Sequence, residues 1–309
     1  MQKILEVKGL SKKYGAHLVL DNISFDVEEG SILGIIGRSG CGKTTLLNTL
    51  VGFIKPDGGN FFYKGNNVTK SNEDLKRNIG FAVQESSIYG KLNVAENISY
   101  FGRIAGLPNS AIKERTEILL NTFGLTDARH LLGEKLSVGM QKRLDIACSL
   151  IHDPEILLLD EPTANLDPVM RKNTIELIKK INESGTTVII SSHLLGDIRA
   201  LCDKVLIIDN KKAFAFDSPE NLEQNFSSHK LIKIESELRD YTNLVSNLYN
   251  AGLIKKHQTN ENSLWVFTKD VKSTLKSINH FYSNSKDSLL DIDIVSPSLD
   301  TIFENIKSN

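Results

Sequence analysis

Eight consecutive residues, Gly37-Arg38-Ser39-Gly40-Cys41-Gly42-Lys43-Thr44, fit the spacing G-x-x-x-x-G-K-[ST] without a mismatch. Glycines at these positions let successive backbone N–H groups turn inward toward phosphate oxygens, and a helix that follows adds the positive end of its dipole. Lys43 would then reach the β- and γ-phosphates of a nucleotide such as ATP, Thr44 would offer a hydroxyl to Mg2+, and Thr45 could bond the α-phosphate. A second stretch suits the same chemistry. In "ILLLDEP", Asp160 and Glu161 end an apolar run; Asp160 has the position to hold the Mg2+ shell, and Glu161 can polarise a water for in-line attack on the γ-phosphate.

Such chemistry needs a buried strand, a glycine turn and a helix in succession. "SILGIIG" reads as the strand, and "KTTLLNTLVG" as the helix, with Leu46, Leu47, Leu50 and Val51 at helical spacing. "EILLLD" and "TTVIIS" read as two further buried strands separated by the amphipathic "MRKNTIELIKKINES". Alternating strands and helices imply an α/β fold with a mainly parallel sheet, which binds ligands at the C-terminal ends of its strands. From about residue 85 to 152 the pattern is mostly helical, as an insertion into that core. At the N-terminus "KILEVKGL" and "ISFDV" read as antiparallel strands with a polar segment between them.

A chain of 309 residues fits one large domain and one small one. The composition shifts after "AFAFDSPENL", and "NFSSHK" reads as a linker. From about 230 to 309 the order strand, helix, two strands, helix, strand suggests a small α+β accessory domain, ferredoxin-like in type. Its Trp265 reads as a packing residue. Charged residues make up 24% of the chain and the formal net charge is −1, so no global field favours nucleic acid or an anionic bilayer. Cys41, Cys148 and Cys202 are odd in number and widely spaced, which argues against a disulfide framework or a zinc site. No apolar run nears the ~18 residues that cross a bilayer, and the start has no signal-peptide core. A cytoplasmic chain is expected.

With these motifs in their order, the sequence resembles the nucleotide-binding subunit of an ATP-binding cassette (ABC) transporter, over roughly residues 3 to 220. The resemblance implies a P-loop NTPase cassette over 1–220. Gln84 in "FAVQES" matches that family's Q-loop glutamine, which touches the metal or the attacking water and reports nucleotide state to the helical insertion. Asp167 in "ANLDP" matches its D-loop, and His193 in "IISSH" its switch histidine, with a hydrogen bond to the γ-phosphate. Tyr14 in "KKYG" matches the aromatic that stacks on adenine.

The family's signature, LSGGQ, here reads "LSVGMQKR" at 136 to 143. It implies a contact with ATP held by the opposite subunit of a head-to-tail dimer. Ser137 supplies the hydroxyl and Gly139 the close backbone approach to phosphate. Met140 replaces the glutamine, as in two-component (ABC-2 type) exporters. Val138 replaces the first glycine, which requires a negative φ and a side chain turned from the nucleotide. The reading is a weakened but working signature; the alternative is that Ser137 serves only as an N-cap.

The resemblance further implies a separate integral-membrane permease as partner and a second copy of the chain, or a homologue, to complete each site. It places the protein at the cytoplasmic face of the membrane, held there through the permease, with no nucleic acid. The segment "QESSIYGKLNVAENISYFGRIAGL" and the tail "SPSLDTIFENI" resemble those of two-component exporters. Two other classes compete: a soluble ABC ATPase acting on ribosomes or DNA, and a nucleotide-sensing regulatory module. The first usually carries two cassettes, a charged linker or coiled-coil insertions, and none is visible.

Overall fold

The computed structural model describes residues 2–69, 73–226, 230–254, 256–259 and 263–295. Two compact units divide the chain, Met1–Ser218 and Pro219–Asn309.

In the first unit β1 (Lys3–Tyr14) and β2 (His17–Glu28) form an antiparallel hairpin. Leu5, Val7, Leu10, Leu20, Ile23, Phe25 and Val27 are buried along it. The polar stretch expected to separate two short strands is itself strand, and only Gly15 and Ala16 remain for the turn. Register shifts on either side of Leu10 let the ladder continue through this polar segment, which period-2 alternation alone cannot reveal. Gly15, at φ 59°, supplies the left-handed turn residue.

β3 (Ile32–Gly37) is buried at every residue and leads through the glycine turn into α1 (Lys43–Val51). Leu46, Leu47 and Leu50 of α1 are buried. β4 (Gly58–Tyr63) and β5 (Asn66–Asn67) complete a four-stranded sheet of order β2-β1-β4-β5. After α2 (Glu73–Arg77) and β6 (Ile79–Ala82) come the helices α3 (Val94–Ile104), α4 (Asn109–Thr122) and α5 (Val138–Ser149). A capping box closes the start of α3, with Asn93 accepting from the Glu96 N–H and the Glu96 carboxylate accepting from the Asn93 N–H.

The remaining elements are β7 (Ile156–Asp160), α6 (Pro168–Glu183), β8 (Thr187–Ser192), α7 (Leu195–Leu201), β9 (Lys204–Asp209) and β10 (Lys212–Asp217). They build a six-stranded sheet of order β10-β9-β3-β8-β7-β6, parallel except at β10. β3 and β7 thus flank β8, and the ends of these three strands carry the chemistry. Sequence periodicity does not mark β4, β5 and β6. β4 opens with two glycines, and in β6 Gly80 lacks a Cβ because one would stand 2.2 Å from the Ser149 carbonyl oxygen.

The second unit holds α8 (Pro219–Phe226), β11 (Lys230–Ser236), α9 (Thr242–Asn250), β12 (Lys256–Thr259), β13 (Leu264–Thr268), α10 (Val271–Ser283) and β14 (Leu289–Val295). Its sheet runs β12-β13-β11-β14 with every pair antiparallel. Ile232, Ile234, Leu244, Leu248, Leu264, Val266 and Ile278 form a core of its own. Trp265 is half-buried and its indole N–H donates to Ser263 Oγ at 3.0 Å. The tail "SPSLDTIFENI" and residues 227–229 of the linker "NFSSHK" lie outside the described residues, while Asn225 and Phe226 end α8 and Lys230 opens β11.

Candidate functional site

β3 is apolar throughout because it lies between β8 and β9 in the sheet interior, and it delivers Gly37 to the sheet's C-terminal edge. The chain turns there with Gly40 at φ 78° and Gly42 at φ 106°, a region closed to side chains with a Cβ except at the cost of strain. A Cβ on Gly42 would also stand 2.8 Å from Leu20 Cδ2. Gly42 is the N-cap of α1 and has no side chain to satisfy the first N–H groups. Those donors and the dipole end of α1 make the turn an anion cradle.

A cavity of about 500 Å3 opens over this turn, lined by Val19, Ser39, Gly40, Gly42, Lys43, Thr44, Thr45, Gln84, Glu161 and His193. Lys43 is buried, and its ammonium donates to the carbonyls of Gly37 at 2.9 Å and Arg38 at 3.4 Å. On its other side Glu161 Oε1 lies 3.4 Å away. Glu161 Oε2 is 2.6 Å from His193 Nδ1, so one carboxylate bridges the lysine of the turn and the histidine after β8. Glu161 sits at φ 50°, a left-handed conformation unusual for a residue with a Cβ. Its N–H is bound by Ser191, whose Oγ accepts at 3.0 Å.

Thr44 Oγ1 donates to Asp160 Oδ2 at 2.8 Å, and Ser191 Oγ donates to Asp160 Oδ1. Two oxygen donors side by side, with the amide of Gln84 on the same cavity, fit a hard cation such as Mg2+. Among the described residues no cluster of three or more His, Cys, Asp or Glu could hold a metal. Mg2+ needs none, since one or two carboxylates complete its shell with substrate phosphates and water.

Other expected site residues do not line this cavity. Arg38 and Cys41 line an adjoining pocket of about 210 Å3 with His17 and Lys211, while Ser39 and Gly40 line both. Gly37 ends β3 as backbone. Tyr14 stands 49% exposed at the end of β1, with Lys12 Nζ 5.5 Å from its ring centre. Ser137 caps α5, its hydroxyl accepting from the Met140 N–H at 3.3 Å. Val138 opens that helix 61% exposed and without positive φ, as its replacement of a glycine requires. Gly139 is buried, and a Cβ there would stand 2.8 Å from Met170 Sδ of α6. Asp167 caps α6 by accepting from the Val169 and Met170 N–H groups, both at 2.9 Å.

Two contributors were not anticipated. Val19 lines the cavity from β2, inside the segment read as polar between two strands, where the pattern offers no signal for it. Ser191 orients both acids, and its signal lies in the polar pair that ends the apolar run "TTVIIS".

Burial pushes the Cys41 thiol above its ordinary value, with Lys43 pulling partly the other way. A raised value leaves less thiolate at neutral pH, and the thiolate is the reactive form. Iodoacetamide labelling of Cys41, followed by mass spectrometry, is therefore expected to be slower than for a free thiol at pH 7. The rate should still be climbing at pH 9. A plateau below pH 8 would contradict this.

A nucleoside-triphosphate cradle at the edge of a parallel sheet, beside a hydroxyl–carboxylate pair, defines the class: a P-loop NTPase. The sequence comparisons narrow it. Residues 20–164 match the family model described as ABC transporter. The linearmycin resistance ATP-binding protein LnrL of Bacillus subtilis is 32% identical over 231 residues, covering 75% of this chain and 74% of that protein. Nod factor export ATP-binding protein I of Ralstonia nicotianae is 36% identical over 219 residues, covering 71% and 68%. Among solved structures, a dimeric post-hydrolysis state of the ATP-binding cassette MJ0796 bound to ADP and Pi superposes with a TM-score of 0.62 at 25% identity, covering 69% of this chain and 98% of that one. The chain belongs to the ATP-binding proteins of the ABC transporter family. It is an ATP-binding, ATP-hydrolysing subunit of a membrane transporter.

Proposed function

We propose that the cavity over the glycine turn binds Mg-ATP, and that two such chains, or this chain and a homologue, close head to tail to drive export through a separate permease. The observation that carries this reading is the Glu161 carboxylate, held between Lys43 and His193 beside the Thr44–Asp160 pair. Lys43 and the first N–H groups of α1 bind the β- and γ-phosphates. Thr44, Asp160 and Gln84 hold Mg2+, which when bound neutralises charge on the phosphate oxygens. Glu161 accepts a proton from the attacking water as that oxygen bonds to the γ-phosphorus, and the bond to the bridging oxygen breaks with its electron pair going to ADP.

His193 has a constraint of its own. A neutral ring that donates Nδ1–H to Glu161 has only a lone pair on Nε2. Donation to a γ-phosphate oxygen therefore requires the imidazolium, or a ring turned away from Glu161. Ser137, the first-turn N–H groups of α5 and Asp167 meet the partner's nucleotide across the dimer, which accounts for their place outside this chain's own cavity. Even turned from the nucleotide, the β-branched side chain of Val138 leaves phosphate less room at the start of α5 than the glycine it replaces. Val138→Gly is expected to raise ATP turnover modestly, on the order of twofold, by opening that approach; a fall would mean that the signature does not work on phosphate.

The exposed Tyr14 ring is available to stack on adenine. Tyr14→Ala should weaken ATP binding by about 1–3 kcal/mol, read by titration calorimetry. Two supports favour export at the cytoplasmic face of a membrane: the relatives named for linearmycin resistance and Nod factor export, and the exporter-like segment after Gln84. Among the described residues no helix is long and apolar enough to cross a membrane; the proposal assigns attachment to the permease. The reading of the site is tested by the divalent-ion dependence of ATP hydrolysis in the full chain. Turnover should vanish with EDTA, return with Mg2+, and stay low in Asp160→Asn at any Mg2+ concentration. Hydrolysis by Asp160→Asn at the wild-type rate would contradict it.

A further inference from the structure

Two charged side chains of α5, Lys142 and Asp145, are buried outside the lining of the nucleotide cavity, and the chemistry above uses neither. Lys142 is 9% exposed and Asp145 is 1% exposed. Burial opposes both charges, pushing the lysine down and the carboxyl up from their ordinary values. Asp145 Oδ2 is also buried without a hydrogen-bond partner among the described residues. A pair placed for stability alone would be served as well by apolar residues of similar size.

What the two side chains hold is the segment that follows β6. The Lys142 ammonium donates to the Val83 carbonyl at 2.9 Å and to the carbonyl of Gln84 itself at 3.4 Å. Asp145 Oδ1 accepts from the Ser87 N–H at 3.1 Å and from the Ser87 hydroxyl. The next anchor along the chain is Asn97 of α3, which bonds the backbone of Tyr89 and Leu92. Between Ala82, the last residue of β6, and Ser87, the Gln84 backbone is therefore held from α5. That same helix begins with the Ser137 cap, one turn before Lys142.

We infer that Lys142 and Asp145 are positioning residues that set where Gln84 stands in the nucleotide cavity, by fixing the backbone on either side of it to α5. This rests on the reading that Gln84 acts on the metal or the attacking water.

The test is a double-mutant cycle on the full chain, reading steady-state ATP hydrolysis and thermal unfolding. Lys142→Met keeps the length of the side chain and removes the donors. It is expected to lower kcat about tenfold, as a misplaced group does, while the KM for ATP stays within about twofold. In a Gln84→Ala background the same substitution should change kcat by less than about twofold, because Lys142 acts through Gln84. An equal loss in both backgrounds, or no loss in either, overturns the inference and leaves the Gln84 reading standing. Wild-type kcat in Gln84→Ala alone overturns that reading and the inference with it. Should Lys142→Met not fold, Ser87→Ala at the exposed end of the same clamp carries the test: a fall in kcat that disappears in the Gln84→Ala background supports the inference, and an unchanged kcat overturns it.

Discussion

Glu161→Gln is expected to lower ATP turnover by at least about a hundredfold, the scale of a lost general base, while ATP binding persists. The amide has nearly the shape of the carboxylate, so the left-handed turn at φ 50° and the N–H bond to Ser191 are retained. It cannot take a proton from water. Single-turnover hydrolysis and nucleotide binding, measured on the same preparation, separate the two effects. The variant should also accumulate as a closed dimer with Mg-ATP, because the step that opens it is blocked. Turnover within threefold of wild type would remove Glu161 from the chemistry.

Lys43→Ala should act on the other quantity. The ammonium already spans two carbonyls of the turn and the Glu161 carboxylate. Its loss removes a charge-assisted bond to phosphate and leaves a carboxylate facing the polyphosphate without its counter-charge. Hydrogen bonds to charged groups contribute about 1.5–3 kcal/mol, which predicts a Kd for ATP weaker by about 10- to 150-fold. Both terms point the same way, so the upper part of that range is expected. Titration with a fluorescent ATP analogue gives the value, and an unchanged Kd would contradict the assignment of Lys43 to phosphate.

The part of this molecule legible in its sequence is the part where one chemistry forces several residues into fixed spacing. The glycine turn, the acids after β7 and the parallel strands with their amphipathic α6 follow from pattern and periodicity. The family resemblance adds Gln84, Asp167, His193 and Tyr14, and the structure brings Gln84 and His193 to the same cavity as Lys43 and Glu161. The less legible parts depend on partners distant in sequence. The polar half of the β1–β2 hairpin is strand because register shifts accommodate it, and β6 depends on a backbone approach to Ser149 at Gly80. Of the apolar stripe Met140, Leu144, Ala147, Cys148 and Ile151 that helical spacing predicts, the last four are buried, Met140 is half-buried, and Ile151 lies beyond the end of α5. The burial of Lys142 and Asp145 on the same helix could not be read, since their partners lie nearly sixty residues earlier.

The central claim, that this ATPase drives a permease through a closed ATP-bound dimer, is tested most directly with tagged Glu161→Gln protein expressed in its native cell. Membranes are solubilised gently in the presence of Mg-ATP, and whatever co-purifies is identified and quantified against the tagged chain. The account predicts a polytopic membrane protein in near-equal amount, lost when ATP is replaced by ADP. Recovery of only ribosomal, DNA-bound or soluble partners would contradict it, leaving the ATP-binding cassette in place without a transport role.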